Sequence, residues 1–167
     1  KGSLVAISKS YFPFFNILLK LQIKPKKCAM PKALIKTLMP HGCIGVDVIV
    51  GFPGATEDDF KETFDFLHAL DISYLHVFTY SERDHTHALN IKPVVPVHTR
   101  HERNKTLRNL SYMKMQYFTE QHHGQARKVL FEGHENKGMM EGYTDNYIKI
   151  TTPFRKEWVN EIVEWKI

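Results

Sequence analysis

The sequence predicts an α/β chain: a strand–helix–strand unit of parallel type, then a long helix, then a small antiparallel β-domain. Two apolar, β-branched runs of strand length flank an amphipathic helix within about forty residues, the spacing of a βαβ unit and so of a parallel sheet or barrel. Past residue 125 the pattern changes to short aromatic and β-branched runs punctuated by glycines.

The elements follow in order. Ala33–Met39 reads as the end of a short helix stopped by Pro40 and Gly42. Cys43–Val50 is apolar on both faces, as a strand inside a parallel sheet must be. Gly51-Phe52-Pro53-Gly54 supplies a turn. Thr56 is placed to cap a helix that carries Glu57, Asp58 and Asp59 in its first turn, where the dipole favours acids. Phe60, Phe64, Leu67 and Leu70 give that helix one buried face. Tyr74–Tyr80 is a second strand. Ligands usually bind beyond the C-terminal ends of such strands, so Gly51–Thr56 and Ser81–His87 are expected on one rim. After Pro93 and Pro96 a helix over about 98–122 shows an apolar stripe of Leu107, Leu110, Met113 and Tyr117. Arg100, Arg103, Lys105, Arg108 and Lys114 fall on its presumed polar side, and Gly124 ends it. Ala126–Phe131, Tyr143–Ile150 and Val159–Trp165 read as strands, with turns at glycines 133, 138 and 142.

The net charge of +5 is unevenly spread. Residues 1–46 hold eight lysines and no acid, and the remainder carries 15 basic and 18 acidic residues. The basic balance therefore belongs to the N-terminal segment alone. The only cysteines are Cys28 and Cys43, in no CxxC-type pair, which fits a reducing, cytoplasmic setting rather than a disulfide framework. No apolar run nears the ~20 residues of a membrane span, and the start lacks the features of a signal peptide.

Three ordered segments carry a resemblance: GVDVIVGFPGATEDDF (45–60), LHVFTYSERDHTHAL (75–89) and GYTDNYIKI (142–150). Together they resemble the radical-SAM tRNA methylthiotransferases over about residues 34–165. The wording of the second and third segments is most similar to the subgroup acting on threonylcarbamoyladenosine. The resemblance implies that the parallel unit is the C-terminal part of an incomplete radical-SAM TIM-type barrel, and that the tail is a TRAM-like RNA-binding domain. It implies a reaction adding a methylthio group at adenosine 37 of tRNA, with SAM and two [4Fe–4S] clusters as cofactors. By the same resemblance Val48, Val50, Gly51, Phe52, Phe78 and Tyr80 would lie beside SAM, and Arg127, Lys128, Tyr147 and Lys149 would meet tRNA. Cluster ligation needs three thiolates in a CxxxCxxC loop, and neither cysteine here fits. No catalytic residue or metal ligand is therefore expected in the chain, and it is expected to be inactive alone. The alternative is a stand-alone RNA-binding module that keeps the TRAM-like part. Exposed edges of an unclosed sheet also invite self-association.

Two departures stand out. The family's glycine before Thr86 is His85 here, which would strain the loop if that position requires φ > 0. Upstream, the family's His-x-Pro-Leu-Gln-Ser-Gly stretch is replaced by Phe15–Gln22 and KPKKCAMPK. Residues 1–32 thus read as an atypical, poorly ordered segment, either out-of-frame or decayed, ahead of a barrel part over 33–123 and a β-domain over 124–167 that is too short to close. The histidine pairs His85/His87 and His122/His123 lack a third ligand at helical spacing and are weak zinc signals. His122 and His123 are expected where a helix C-terminus favours positive charge, and Cys43 in the core.

Overall fold

The computed structural model describes residues 35–167, together with the backbone of three short strands, β1 (Leu4–Ala6), β2 (Ile17–Leu18) and β3 (Leu21–Gln22). Most of the lysine-rich segment expected over 1–32 lies outside the described residues.

One helical turn at 35–38 leads into β4 (Ile44–Val50). β4 pairs in parallel with β5 (Tyr74–Thr79) from Gly45↔Tyr74 to Val50↔Thr79, and shorter pairings join it to β1 and β2. The crossover is α1 (Glu57–Ala69). Thr56 caps it as the sequence predicts: its hydroxyl accepts from the Asp59 N–H, and the Asp59 carboxylate accepts from the Thr56 N–H at 2.8 Å, a reciprocal capping box. These hydrogen bonds hold the Asp59 carboxyl below its ordinary range.

The helices cover one face of the parallel sheet. Ile44, Val46, Val48 and Val50 from β4 and Leu75 from β5 pack against Leu67 and Leu70 of α1 and Leu107 and Leu110 of α2 (Val97–Glu120). At 1.5 Å per residue α2 is about 36 Å long, enough to pass from this core into a second one. There Phe118 joins Val129, Phe131, Met140, Ile148 and Ile150.

That second core lies under an antiparallel sheet of order β8-β7-β6-β9: β6 (Ala126–Asn136), β7 (Met139–Thr144), β8 (Lys149–Pro153) and β9 (Ile162–Lys166). A mixed α/β chain with a small antiparallel sheet at its end is what the pattern predicts. The finer expectations need correction in four places. The single strand expected over Tyr143–Ile150 is broken. The Thr144 hydroxyl accepts the Ile148 N–H at 2.8 Å and donates to Asn146 Oδ1 at 2.6 Å, which folds 145–148 into a turn. The last strand begins at Ile162, because Lys156–Trp158 form a 3-10 turn and Asn160 takes φ +59°. Gly133 lies within β6 at a register irregularity, and Gly142 lies within β7, pressed against Phe131 and the Leu130 carbonyl.

The fourth correction concerns α2. Leu107 and Leu110 are buried as expected, but Met113 and Tyr117 are 53% and 62% exposed while Arg100 and Arg103 are 3% and 6% exposed. The inward stripe runs 100, 103, 107, 110, 114 and 118, at steps of three or four residues. Charged residues stand on that stripe because their heads reach backbone carbonyls at the ends of the sheet and of α1.

Candidate functional site

The two loops expected on one rim are side by side, and two buried arginines of α2 hold them there. Tyr80 N–H donates to Val50 O at 2.9 Å, so the strands leave the sheet together. Arg100 donates from Nε to Val95 O at 2.8 Å, from one terminal nitrogen to Tyr80 O at 3.1 Å and from the other to Glu82 Oε1 at 2.6 Å. The guanidinium also lies 5.3 Å from the centre of the Tyr80 ring. Gly51 makes room for this side chain: its φ is +78°, and a Cβ there would collide with Arg100 Cγ. Arg103 does the same for the other loop, donating to Thr56 O at 3.0 Å and Glu57 Oε2 at 2.9 Å over the Phe60 ring. Gly54 N–H donates to Pro93 O at 2.8 Å and closes the cradle. A planar fork with five donors can satisfy carbonyls of several segments at once, which a lysine cannot.

On the rim the Phe52 and Tyr80 rings meet edge-on, 5.3 Å between centres. The Tyr80 hydroxyl is buried and has no hydrogen-bond partner among the described residues. Below the rim, the face of the sheet away from the helices carries Asp47 and Ile49 on β4 and His76 and Phe78 on β5, and Phe78 is 52% exposed.

No protein-family model matches the chain. Among characterised proteins, a threonylcarbamoyladenosine tRNA methylthiotransferase of Aquifex aeolicus is 43% identical over 107 residues, 64% of this chain and 26% of that protein. Its namesake in Bacillus subtilis is 34% identical over 137 residues, 80% of this chain and 30% of its own length. A tRNA-2-methylthio-N(6)-dimethylallyladenosine synthase of Bacillus pumilus is 32% identical over 139 residues, 80% and 27% of the two chains. The chain is a homologue of the tRNA methylthiotransferases. It spans between a quarter and a third of the length of these relatives, matching a C-terminal part of the family.

The SAM-proximal set that the methylthiotransferase resemblance implies is divided by the sheet. Phe52 and Tyr80 stand together on the rim and Gly51 forms its floor. Phe78 lies on the open face. Val48 and Val50 point the other way, 0% and 3% exposed in the core against the helices. Strand alternation places Asp47 and Ile49, not the valines, beside Phe78. The sequence reading missed those two although the period-2 rule was available, because a run apolar on both sides hides which face is open.

The tRNA set is divided as well. Lys128 is exposed. Lys149 pairs with Glu141 at 2.6 Å, the first cause of its raised pKa. The Arg127 side chain is only 11% exposed and is tied to Asp145 at 3.2 Å and Gln125 at 3.1 Å. Tyr147 is half-buried, in a stack between Tyr74 and Tyr143.

The histidines separate too. His85 takes φ +61°, the conformation in which its replacement of glycine is strained. His122, expected where the helix end favours positive charge, is 5% exposed, its Nδ1 2.8 Å from Phe118 O, and burial pushes its pKa down. Cys43 packs in the core as expected, and burial pushes its thiol up to about 11. Among the described residues no group of three or more His, Cys, Asp or Glu is arranged to hold a metal ion, and no helix is long and apolar enough to cross a membrane.

Proposed function

We propose that this chain is the part of a tRNA methylthiotransferase that flanks the SAM pocket and grips the RNA. On this reading residues 33–123 are one wall of an incomplete radical-SAM barrel and 124–167 a TRAM-like domain, in a cytoplasmic enzyme that methylthiolates a modified adenosine at tRNA position 37. The observation that carries the reading is the arginine-braced rim. Phe52 and Tyr80 offer an aromatic pair whose edge and face suit a flat heteroaromatic ring. They fit the adenine end of SAM, which when bound would supply the methyl group of the product. The chain's own contribution is to orient that ring and to keep both loops in register through Arg100 and Arg103. Iron–sulfur clusters do not fit the described residues: Cys43 is sealed in the core with its thiol held protonated. Those ligands belong to parts of a full-length enzyme beyond this sequence, and the chain alone is expected to be inactive.

RNA would lie on the outward face of the antiparallel sheet. There Lys149 and Leu130 flank Tyr143 across the strands, next to Lys128. The second reading, a stand-alone RNA-binding module, is favoured by one observation: Val129, Phe131, Met140, Ile148 and Ile150 gather under the antiparallel sheet in a cluster distinct from the one between the parallel sheet and the helices. Both readings require RNA binding. We expect the purified chain to bind tRNA with affinity that falls as salt rises, and Lys128→Glu with Lys149→Glu to weaken binding roughly tenfold or more and flatten the salt slope. Fluorescence anisotropy of labelled tRNA reads both, and an unchanged Kd in the double variant would contradict the proposal.

A further inference from the structure

Tyr74 begins β5, yet its ring belongs to the core of the other sheet, together with Cys43. It lies flat across β4, where a Cβ on Gly45 would run into the ring, so the strand must carry glycine beneath it. The far side of the ring stacks on Tyr147, with centres 5.9 Å apart and planes 26° apart. Tyr147 in turn stacks on Tyr143 at 5.1 Å and 23°. Offset stacking at such distances is favourable beyond the area it buries. Tyr147 holds this place at a cost, because its φ is +69°, a region that bulky side chains avoid. The turn that forces the conformation is closed by Tyr147 N–H to Thr144 O at 2.9 Å and by the Thr144 hydroxyl bonds already described. Backbone strain at an aromatic residue, matched by a glycine cut away to admit its partner, marks a contact that the fold is built around.

We infer that Tyr74 is a positioning residue: seated over Gly45, its ring locks Tyr147 and thereby fixes where the RNA-holding sheet stands relative to the rim. With 7% of its surface exposed, Tyr74 does not touch RNA itself. The inference rests on the proposed function for its RNA half and on geometry alone for its structural half, so two experiments separate them.

The first uses no RNA. In thermal unfolding of the chain, Tyr74→Leu and Tyr147→Leu each lower Tm by about 5 °C, and the double variant falls no further than the worse single one. Gly45→Ala behaves like Tyr74→Leu, and Tyr74→Phe restores the wild-type Tm. Additive losses, or a harmless Gly45→Ala, overturn the stack as a coupling element.

The second places an iron–EDTA tether on Asp84→Cys, at the rim, in a Cys28→Ser background, and maps cleavage of bound tRNA. Wild-type chain cuts within a few nucleotides. Tyr74→Leu keeps the tRNA Kd within twofold but scatters the cuts, and Tyr74→Phe brings the focus back. A focused pattern in Tyr74→Leu, or a tenfold loss of affinity, overturns the positioning role. A wild-type chain that binds no tRNA overturns both the proposed function and the RNA half of this inference, while the unfolding cycle still decides the structural half.

Discussion

Gly51 and Arg100 show how much of the rim depends on single atoms. A methyl group at residue 51 meets Arg100 Cγ and also forces an alanine into left-handed backbone. The conformational cost is about 1–2 kcal/mol, and overpacking adds about 1–3 kcal/mol. Gly51→Ala should therefore lower stability by at least about 2 kcal/mol in urea unfolding, and a loss under about 0.5 kcal/mol would show that Arg100 is not seated there. Arg100 itself stays charged, since its bond to Glu82 raises its pKa further, and the same bond holds Glu82 below the ordinary range. His122 gives a pH dependence of definite sign. Its folded pKa lies below the ordinary 6.5 because of burial. The unfolded chain therefore binds more protons, and stability present above pH 6.5 is lost as pH falls through the folded value. Replacing His122 with Gln should flatten the fall in stability as pH drops below 6.5, as measured by Tm across buffers. An unchanged slope would mean that other groups set it.

At the scale of elements, α2 decides the arrangement. Besides bracing the rim and entering both cores, it closes the outer edge of β5. The Ser111 hydroxyl accepts the Leu75 N–H at 2.8 Å and donates to Leu75 O at 2.9 Å, and Asn104 Nδ2 donates to Val77 O at 3.2 Å. An edge strand whose backbone groups are taken in this way is a poor template for another chain. The outer strands that α2 does not cover in this way are β8 and β9 of the antiparallel sheet and, among the described strands, β2 and β3 of the other. Ser111→Ala strips two backbone groups of partners and should cost about 1–3 kcal/mol, read by urea unfolding, with loss of monomer in size-exclusion chromatography at high concentration. The element pattern of α1, β4 and β5 was legible in the sequence because each obeys one period with a clear start and stop. The face of α2 was not, since a buried arginine and a solvated one are written alike. The break at Thr144 was hidden too: GYTDNYIKI has strand composition, and a side-chain hydroxyl, not a glycine, turns the chain.

For the whole molecule, the two sheets share one long helix and the Tyr74–Tyr147 stack, which join the rim to the antiparallel sheet. The family was legible from three motifs, and relatives at 32–43% identity bear it out. Which residues of those motifs face a ligand was not legible, because motif wording does not say which side of a strand is open. Val48 and Val50 are the example: inside the most informative motif, yet turned into the core. On the proposed function, the chain holds the anticodon loop of a tRNA beside a methylthiotransferase site. Hydroxyl-radical footprinting of a tRNA saturated with the purified chain tests it most directly. Protection centred on the anticodon stem–loop around position 37 is the expected result, and protection confined to the acceptor or T arm, or none at saturating chain, would contradict the account.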